Sequence, residues 1–312
     1  MTANQNTFTL ANGTVVPKLA YGTGTKWFKR SGSTDAVDEA LVESILTALR
    51  NGFTHIDTAE SYGTEKEVGI AFGRYLEESG KKREDFYITT KVLNTFSSLT
   101  MMPSGQIRAS NGFEIRPSLT PSESYVDLYL IHSPFWDYND SDEFPISKVW
   151  ATLSTFVTST RQVRSLGVSN WRAQDYEALL ASKPAVLPQV NQIEFHAYIQ
   201  NKPLQELHKK LNVVPAAYGP LQPLIAFAES GLVQETVTRI AVEKGNGTTA
   251  SQVLLAWGFA QNTIQVTTSA KEERLKEAVA ALNVELTPAE LDAITKAGEA
   301  HELRKFWVGK KF

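Results

Sequence analysis

Short apolar runs rich in β-branched residues recur along the chain, and segments of helical period separate most of them. The runs occupy 18–24, 53–57, 86–92, 125–132, 163–170, 188–195, 213–220 and 263–270. Strands that alternate with helices imply a parallel sheet joined by crossovers, and eight such units close a (β/α)8 TIM barrel. In that fold the C-terminal strand ends converge on one mouth. Asp57, Lys91, His132, Asn170, Gln192, Tyr218 and Ser269 stand at or just beyond those ends. They therefore form one candidate site although the chain runs from 57 to 269 between the first and the last.

The segments between the runs fill in the frame. A helix is expected from Thr34 or Asp35 through Leu41, Ile45, Leu46 and Leu49, stopped by Asn51-Gly52. A second is expected over 64–79, closed by Gly80, with Lys81-Lys82-Arg83 after it as a solvated turn. Further helices are expected at 145–160, 172–182, 201–211, 231–245, 248–261, 271–281 and 287–298. The last carries a cap, Thr287-Pro288-Ala289-Glu290, with proline at the first helical position. Residues 7–17 read as a hairpin around Asn12-Gly13, with positive φ at both turn positions, placed to plug the barrel bottom.

One stretch breaks the pattern. Residues 93–124 are rich in Ser, Asn and Gly and carry Pro103, Pro117 and Pro121. Proline inside a helix costs about 3 kcal/mol, so the segment reads as irregular, a lid or a degenerate crossover. The tail, HELRKFWVGKKF, bears Phe306 and Trp307 and either packs on the barrel or closes over its mouth. No linker divides the chain, so residues 1–312 are expected to form one domain.

Composition narrows the function. A net charge of −3 argues against nucleic acid as a partner. The absence of cysteine removes disulfides, thiolate nucleophiles and Cys-based metal sites. The N-terminus lacks a basic region followed by an apolar core, and no run reaches the ~18 apolar residues of a membrane span. The expected compartment is the cytoplasm, and the expected state is a monomer or weak dimer. His55, His132, His196, His208 and His301 form no HxH or HExxH pair, so no metal site is expected. No GxSxG, GxGxxG or GxxxxGK[ST] spacing occurs.

Asp57, Tyr62, Lys91 and His132 carry the candidate chemistry. A buried ammonium beside a phenol favours tyrosinate and lowers a pKa that is otherwise about 10. A carboxylate beside that ammonium keeps it charged and in place. A neutral imidazole hydrogen-bonds a carbonyl oxygen on which negative charge develops. The set suits carbonyl reduction, with hydride added to carbon and the phenol protonating oxygen. After the last run, Thr267, Thr268, Ser269, Lys271 and Arg274 place hydroxyls and cations at a helix N-terminus, a phosphate pocket in character. An arginine there favours a 2′-phosphate, hence NADPH.

These residues resemble the aldo-keto reductase family. GFTHIDTAESYGTEKEVG (52–69) is similar to the family signature that carries its catalytic Asp and Tyr, here Asp57 and Tyr62. TTKV supplies Lys91 and DLYLIHSP supplies His132. GVSNW, QVNQIEF and AYGPL resemble its nicotinamide-holding segments. The resemblance implies that Ser169, Asn170 and Gln192 hold the carboxamide and that Tyr218 stacks on the ring. It implies Ser269 and Arg274 on the 2′-phosphate and Glu277 near the adenine. It extends the cofactor set to Gly24, Thr25, Lys26, Gly219, Leu221, Thr267, Thr268 and Lys271. Thr268 stands where many relatives carry Lys, Gly219 where Ser is common, Ala278 where Asn is common, and His196-Ala197 where His-Pro is common.

A narrower likeness, on GTGTKW, HSPF and VTTSAKEERLKE, is to the fungal reductases of 1,2-dicarbonyls: α-keto amides, conjugated polyketones and ketopantoyl lactone. It implies a substrate pocket walled by Trp27; Phe135, Trp136 and the tail aromatics are expected to add to the desolvation and placement of the substrate there. The expected function is NADPH-dependent reduction of aldehydes or activated ketones, taking a small carbonyl substrate. Two alternatives stand beside it: reduction of an imine or a pathway-specific biosynthetic intermediate on the same site, and a cofactor-binding regulatory subunit.

Overall fold

The computed structural model describes residues 6–29, 36–92, 125–135, 145–159, 161–227 and 231–310. The expectations for 93–124 and for Trp136 lie outside the described residues.

Ten strands are described. The strands β1 (Thr7–Thr9) and β2 (Val15–Pro17) pair antiparallel. Then come β3 (Leu19–Gly22), β4 (His55–Asp57), β5 (Tyr87–Val92), β6 (Val126–Ile131), β7 (Val163–Ser169), β8 (Val190–Glu194), β9 (Val214–Tyr218) and β10 (Ile264–Thr267). These pair parallel in sequence order, and β10 returns to β3 to close the barrel. All eight apolar runs become barrel strands, each shorter than its run because the flanking residues enter turns. No helix among the described residues is long and apolar enough to cross a membrane.

The helices follow the expected positions: α1 (Glu39–Arg50), α2 (Glu65–Ser79), α3 (Ile146–Thr158), α4 (Ala173–Ala181), α5 (Lys202–Leu211), α6 (Gln222–Ile225), α7 (Leu232–Lys244), α8 (Ala250–Ala260), α9 (Glu272–Ala280) and α10 (Pro288–Glu299). The expected start of α1 at Thr34 or Asp35 is corrected. The helix begins at Glu39, where the Asp38 carboxylate accepts the amides of Ala40 and Leu41 at 3.0 and 3.2 Å. The Thr287 cap holds: its hydroxyl accepts the Glu290 amide, and the Glu290 carboxylate accepts the Thr287 amide. The short α6 was not foreseen.

The hairpin turn also differs in kind. Its loop spans three residues, Ala11 to Gly13, and only Gly13 has positive φ (+86°). The turn closes with the Gly13 amide on Leu10 O, and left-handed glycine then restores the register, a bulged loop rather than a two-residue turn. Leu10 and Val16 are buried against Leu128, Leu130, Val190, Ala216 and Ile264. The Asn12 amides donate to Gln189 Oε1 and Ser165 Oγ, which lie at the N-terminal strand ends. The hairpin therefore covers the bottom of the barrel, and chemistry is left to the other end.

Arg83 corrects the reading of 81–83 as solvated. It is 3% exposed and paired to the buried Asp127 carboxylate on β6 at 2.6 Å. Its guanidinium also donates to Phe86 O and lies 4.2 Å from the Tyr125 ring centroid. A run of three basic residues carries no sign that one of them folds inward to meet an aspartate forty-four positions on.

Candidate active site

Asp57 ends β4 and faces the mouth with its neighbour strands. Its Oδ1 accepts from Lys91 Nζ at 2.6 Å, and its Oδ2 accepts from Gln192 Nε2 at 2.7 Å. Lys91, near the end of β5, is wholly buried and also donates to Thr58 O at 2.9 Å. The loop after β4 forms one 3-10 turn, Glu60–Tyr62, closed by left-handed Gly63. That turn delivers the Tyr62 hydroxyl to within 3.5 Å of Lys91 Nζ. Behind it, the hydroxyls of Thr23, Thr58 and Thr64 bond one another. The Lys29 amide donates to Tyr62 O, and the Lys29 ammonium is paired with Glu67. Gly24 permits the close pass: a Cβ there would stand 3.0 Å from the Tyr62 ring.

His132 follows β6. Its ring meets Tyr62 edge-on, with centroids 5.4 Å apart, and its Nδ1 lies 3.2 Å from Ser61 Oγ. The four chemistry-bearing residues predicted from sequence are thus brought together.

Charge states follow from the surroundings. Burial works against the Lys91 ammonium, but Asp57 and then Tyr62 more than offset it and hold its pKa above the ordinary lysine value. Burial, with a smaller contribution from the Lys91 charge, pushes His132 down to about 3, so the imidazole is neutral. The Tyr62 phenol corrects an expectation. Burial raises its pKa; the Lys91 charge pulls it down, and the Asp57 carboxylate pushes it up again. The balance is above the ordinary tyrosine value, because burial of the phenol outweighs the pull of Lys91, whose shortest contacts go to Asp57 and Thr58 O. The phenol is protonated at neutral pH.

A cleft of about 900 Å³ runs from this cluster across the strand ends to α9. Of the predicted cofactor residues it is lined by Gly24, Thr25, Ser169, Asn170, Gln192, Tyr218, Gly219, Leu221, Thr267, Thr268, Ser269, Arg274 and Glu277. A hydrogen-bond chain orders its middle: Tyr218 OH donates to Asn170 Oδ1 at 2.7 Å, Asn170 Nδ2 to His132 O at 2.9 Å, and Ser169 Oγ to Gln192 O at 2.7 Å.

Other predicted residues stand elsewhere. Lys26 and Lys271 are exposed and do not line the cleft. The Lys26 ammonium rests over the Trp27 ring, 4.5 Å from its centroid. Trp27 is not among the residues that line this cleft; it is half-buried and packs against the cluster that includes Tyr21, Leu41 and Val68. Phe135 is set back, its ring 5.2 Å from that of Trp307, which does line the cleft with Phe306.

The sequence did not single out Gln222, Leu224, Ile225 or Thr249 to Ser251, which also line the cleft. Proline at the second position of α6 was the available signal of a short helix there. Polar groups await a partner in this cleft. Gln222 Oε1 and Thr268 Oγ1 are buried without a hydrogen bond, and Arg274 makes no ion pair among the described residues. A long groove with a cation and hydroxyls at one end and a phenol at the other fits an extended, phosphate-bearing cofactor.

Comparison with known proteins agrees with this reading. The pattern described as "Aldo/keto reductase family" matches residues 18–299. The NAD/NADP-dependent indole-3-acetaldehyde reductase of Schizosaccharomyces pombe is 35% identical over 298 residues, covering 95% of this chain and 96% of that protein. The NADPH-dependent alpha-keto amide reductase of Saccharomyces cerevisiae is 34% identical over 319 residues, covering 98% and 96%. The crystal structure of an aldo/keto reductase from Brucella melitensis superposes with a TM-score of 0.70 at 29% identity, covering 93% of this chain and 98% of that one.

Proposed function

The chain belongs to the aldo/keto reductase family, and from that membership we propose that it is an NADPH-dependent reductase of aldehydes and activated ketones, 1,2-dicarbonyls among them. The observation that carries the reading is the convergence of a protonated phenol, a neutral imidazole and a buried ammonium–carboxylate pair at one end of a cofactor-sized groove. Relatives named for an aldehyde and for α-keto amides support the substrate class.

When bound, the reduced nicotinamide supplies the hydride. The protein's residues do the rest. Asn170, Ser169 and Gln192 form the polar wall suited to a carboxamide, and Tyr218 offers a ring face beside it. Arg274 and the hydroxyls of Thr267 to Ser269 hold phosphate charge. The substrate carbonyl oxygen sits between Tyr62 and His132. There the imidazole orients it, and the phenol delivers a proton as negative charge develops. Lys91 stays charged on Asp57 and stabilises the phenolate left behind until a proton returns from solvent.

The test is loss of NADPH absorbance with purified protein across methylglyoxal, an aromatic 1,2-diketone, an aliphatic aldehyde and a cyclic imine. The reading predicts turnover on the dicarbonyls and the aldehyde. Turnover on the imine alone transfers the site to the alternative substrate class. Tight NADPH binding with no turnover on any member points to a regulatory subunit.

A further inference from the structure

Glu194 ends β8 on the same face as Val190 and Gln192, because alternate residues of a strand share a side. Gln192, one layer below, reaches Asp57. Glu194 thus stands at the top of the barrel, 2% exposed, where the proposed chemistry has no use for it. Both of its oxygens are engaged by the C-terminal tail. Oε1 accepts the Lys305 amide at 2.7 Å, and Oε2 accepts the Phe306 amide at 2.9 Å. Arg304 Nη1 lies 3.9 Å from Oε2, and His196 Nε2 lies 3.3 Å from Oε1.

Residues 301–310 have no regular secondary structure, so a few anchors decide where they lie. A further backbone anchor is the Leu303 amide on Tyr198 O, in the loop after β8, at 3.2 Å. Phe306 is laid edge-on against Tyr218, with centroids 5.4 Å apart. It also lies over Gly219, where a Cβ would come within 3.2 Å of its ring. Trp307 is laid against Phe135, and both tail aromatics line the cleft. Charge-assisted bonds from backbone amides are strong, and a buried carboxylate stripped of them is costly. The Glu194 side chain and the position of the tail therefore support each other through these two hydrogen bonds.

We propose that Glu194 is a positioning residue: it holds the tail through the Lys305 and Phe306 amides, and so fixes the aromatic wall that selects bulky carbonyl substrates. The selectivity half rests on the reductase reading above; the latch half does not. A small dicarbonyl needs only Tyr62 and His132 to be oriented. A substrate with an aryl group needs the wall that Phe306 and Trp307 make. Glu194→Gln keeps the shape of the side chain but leaves one acceptor oxygen for two amides.

The experiment pairs hydrogen exchange with kinetics on the full-length protein. In Glu194→Gln, the Lys305 and Phe306 amides should exchange about tenfold faster or more, while the β8 and β9 amides keep their protection. The KM for an aromatic 1,2-diketone should rise about tenfold with kcat within about twofold, whereas kcat/KM for methylglyoxal and the Kd for NADPH should stay within about twofold. Adding Phe306→Ala and Trp307→Ala should cause no further loss for the diketone, because both changes act through the same wall. If Glu194→Gln does not fold, Glu194→Asp, which keeps the charge and shortens the arm, should speed exchange at the same two amides. Unchanged exchange there overturns the latch, even in a protein without reductase activity. Equal losses for small and large substrates, or losses that add to those of the tail variants, overturn its role in selection.

Discussion

At the scale of single residues, the pairing of Lys91 with Asp57 dominates. Both are buried, and each is the other's compensation. Lys91→Met strands a buried carboxylate and should lower stability by about 3–5 kcal/mol in urea unfolding. Adding Asp57→Asn should restore much of that stability without restoring turnover, since the phenol still lacks its neighbouring charge. The raised pKa of Tyr62 has a kinetic counterpart. Reduction should hold steady through neutral pH and fall only as the phenol ionises at alkaline pH. A kcat profile that falls between pH 6 and 8 with an aliphatic aldehyde would contradict a protonated donor.

At the scale of elements, the caps and ties that hold the site's frame have measurable weights. Removing the α1 cap by Asp38→Ala should cost about 1 kcal/mol. Arg83→Met should cost more, about 3 kcal/mol, because it leaves the buried Asp127 carboxylate to the Ile88 amide and the more distant, half-exposed Arg164 guanidinium. Thermal unfolding of the two variants side by side checks the order. The contrast also shows what the sequence made legible. Apolar runs and their spacing marked every barrel strand, since burial on both faces leaves a strong local signature. The chemistry at strand ends was legible for the same reason: knowing where β4, β5 and β6 stop places Asp57, Lys91 and His132. Long-range partnerships left no such trace. Nothing near Arg83 announces Asp127, and nothing in β8 says that Glu194 faces the tail. The acidity of the phenol is not legible in the sequence, because its sign is set by how deeply the ring is buried against the pull of Lys91, and both are tertiary properties.

At the scale of the whole molecule, buried titrating groups set the pH range of the fold. Burial pushes His55 and His208 down to about 4 and His132, which also feels Lys91, to about 3. Their folded pKa values lie below their unfolded ones, so the stability they carry is complete above about pH 6.5 and is lost as pH falls toward 4. Glu65 has the opposite sign. Burial raises it to about 7, so it favours the fold below the unfolded carboxylate value and loses that contribution as pH rises through 7. Three groups outweigh one. At pH 5.5 unfolding should take up roughly two protons net, so the urea midpoint should climb from pH 4.5 to 6.5 and then flatten. A midpoint that falls over that interval would contradict the buried neutral imidazoles.

The central claim is that one phenol at the mouth of the barrel protonates the carbonyl oxygen while a separate surface holds the cofactor. Tyr62→Phe tests it most directly, with NADPH affinity followed by tryptophan fluorescence and turnover by NADPH oxidation on methylglyoxal. The predicted result is an unchanged Kd with kcat reduced by about a thousandfold or more. Retention of wild-type turnover by that variant, with cofactor bound, would contradict the account.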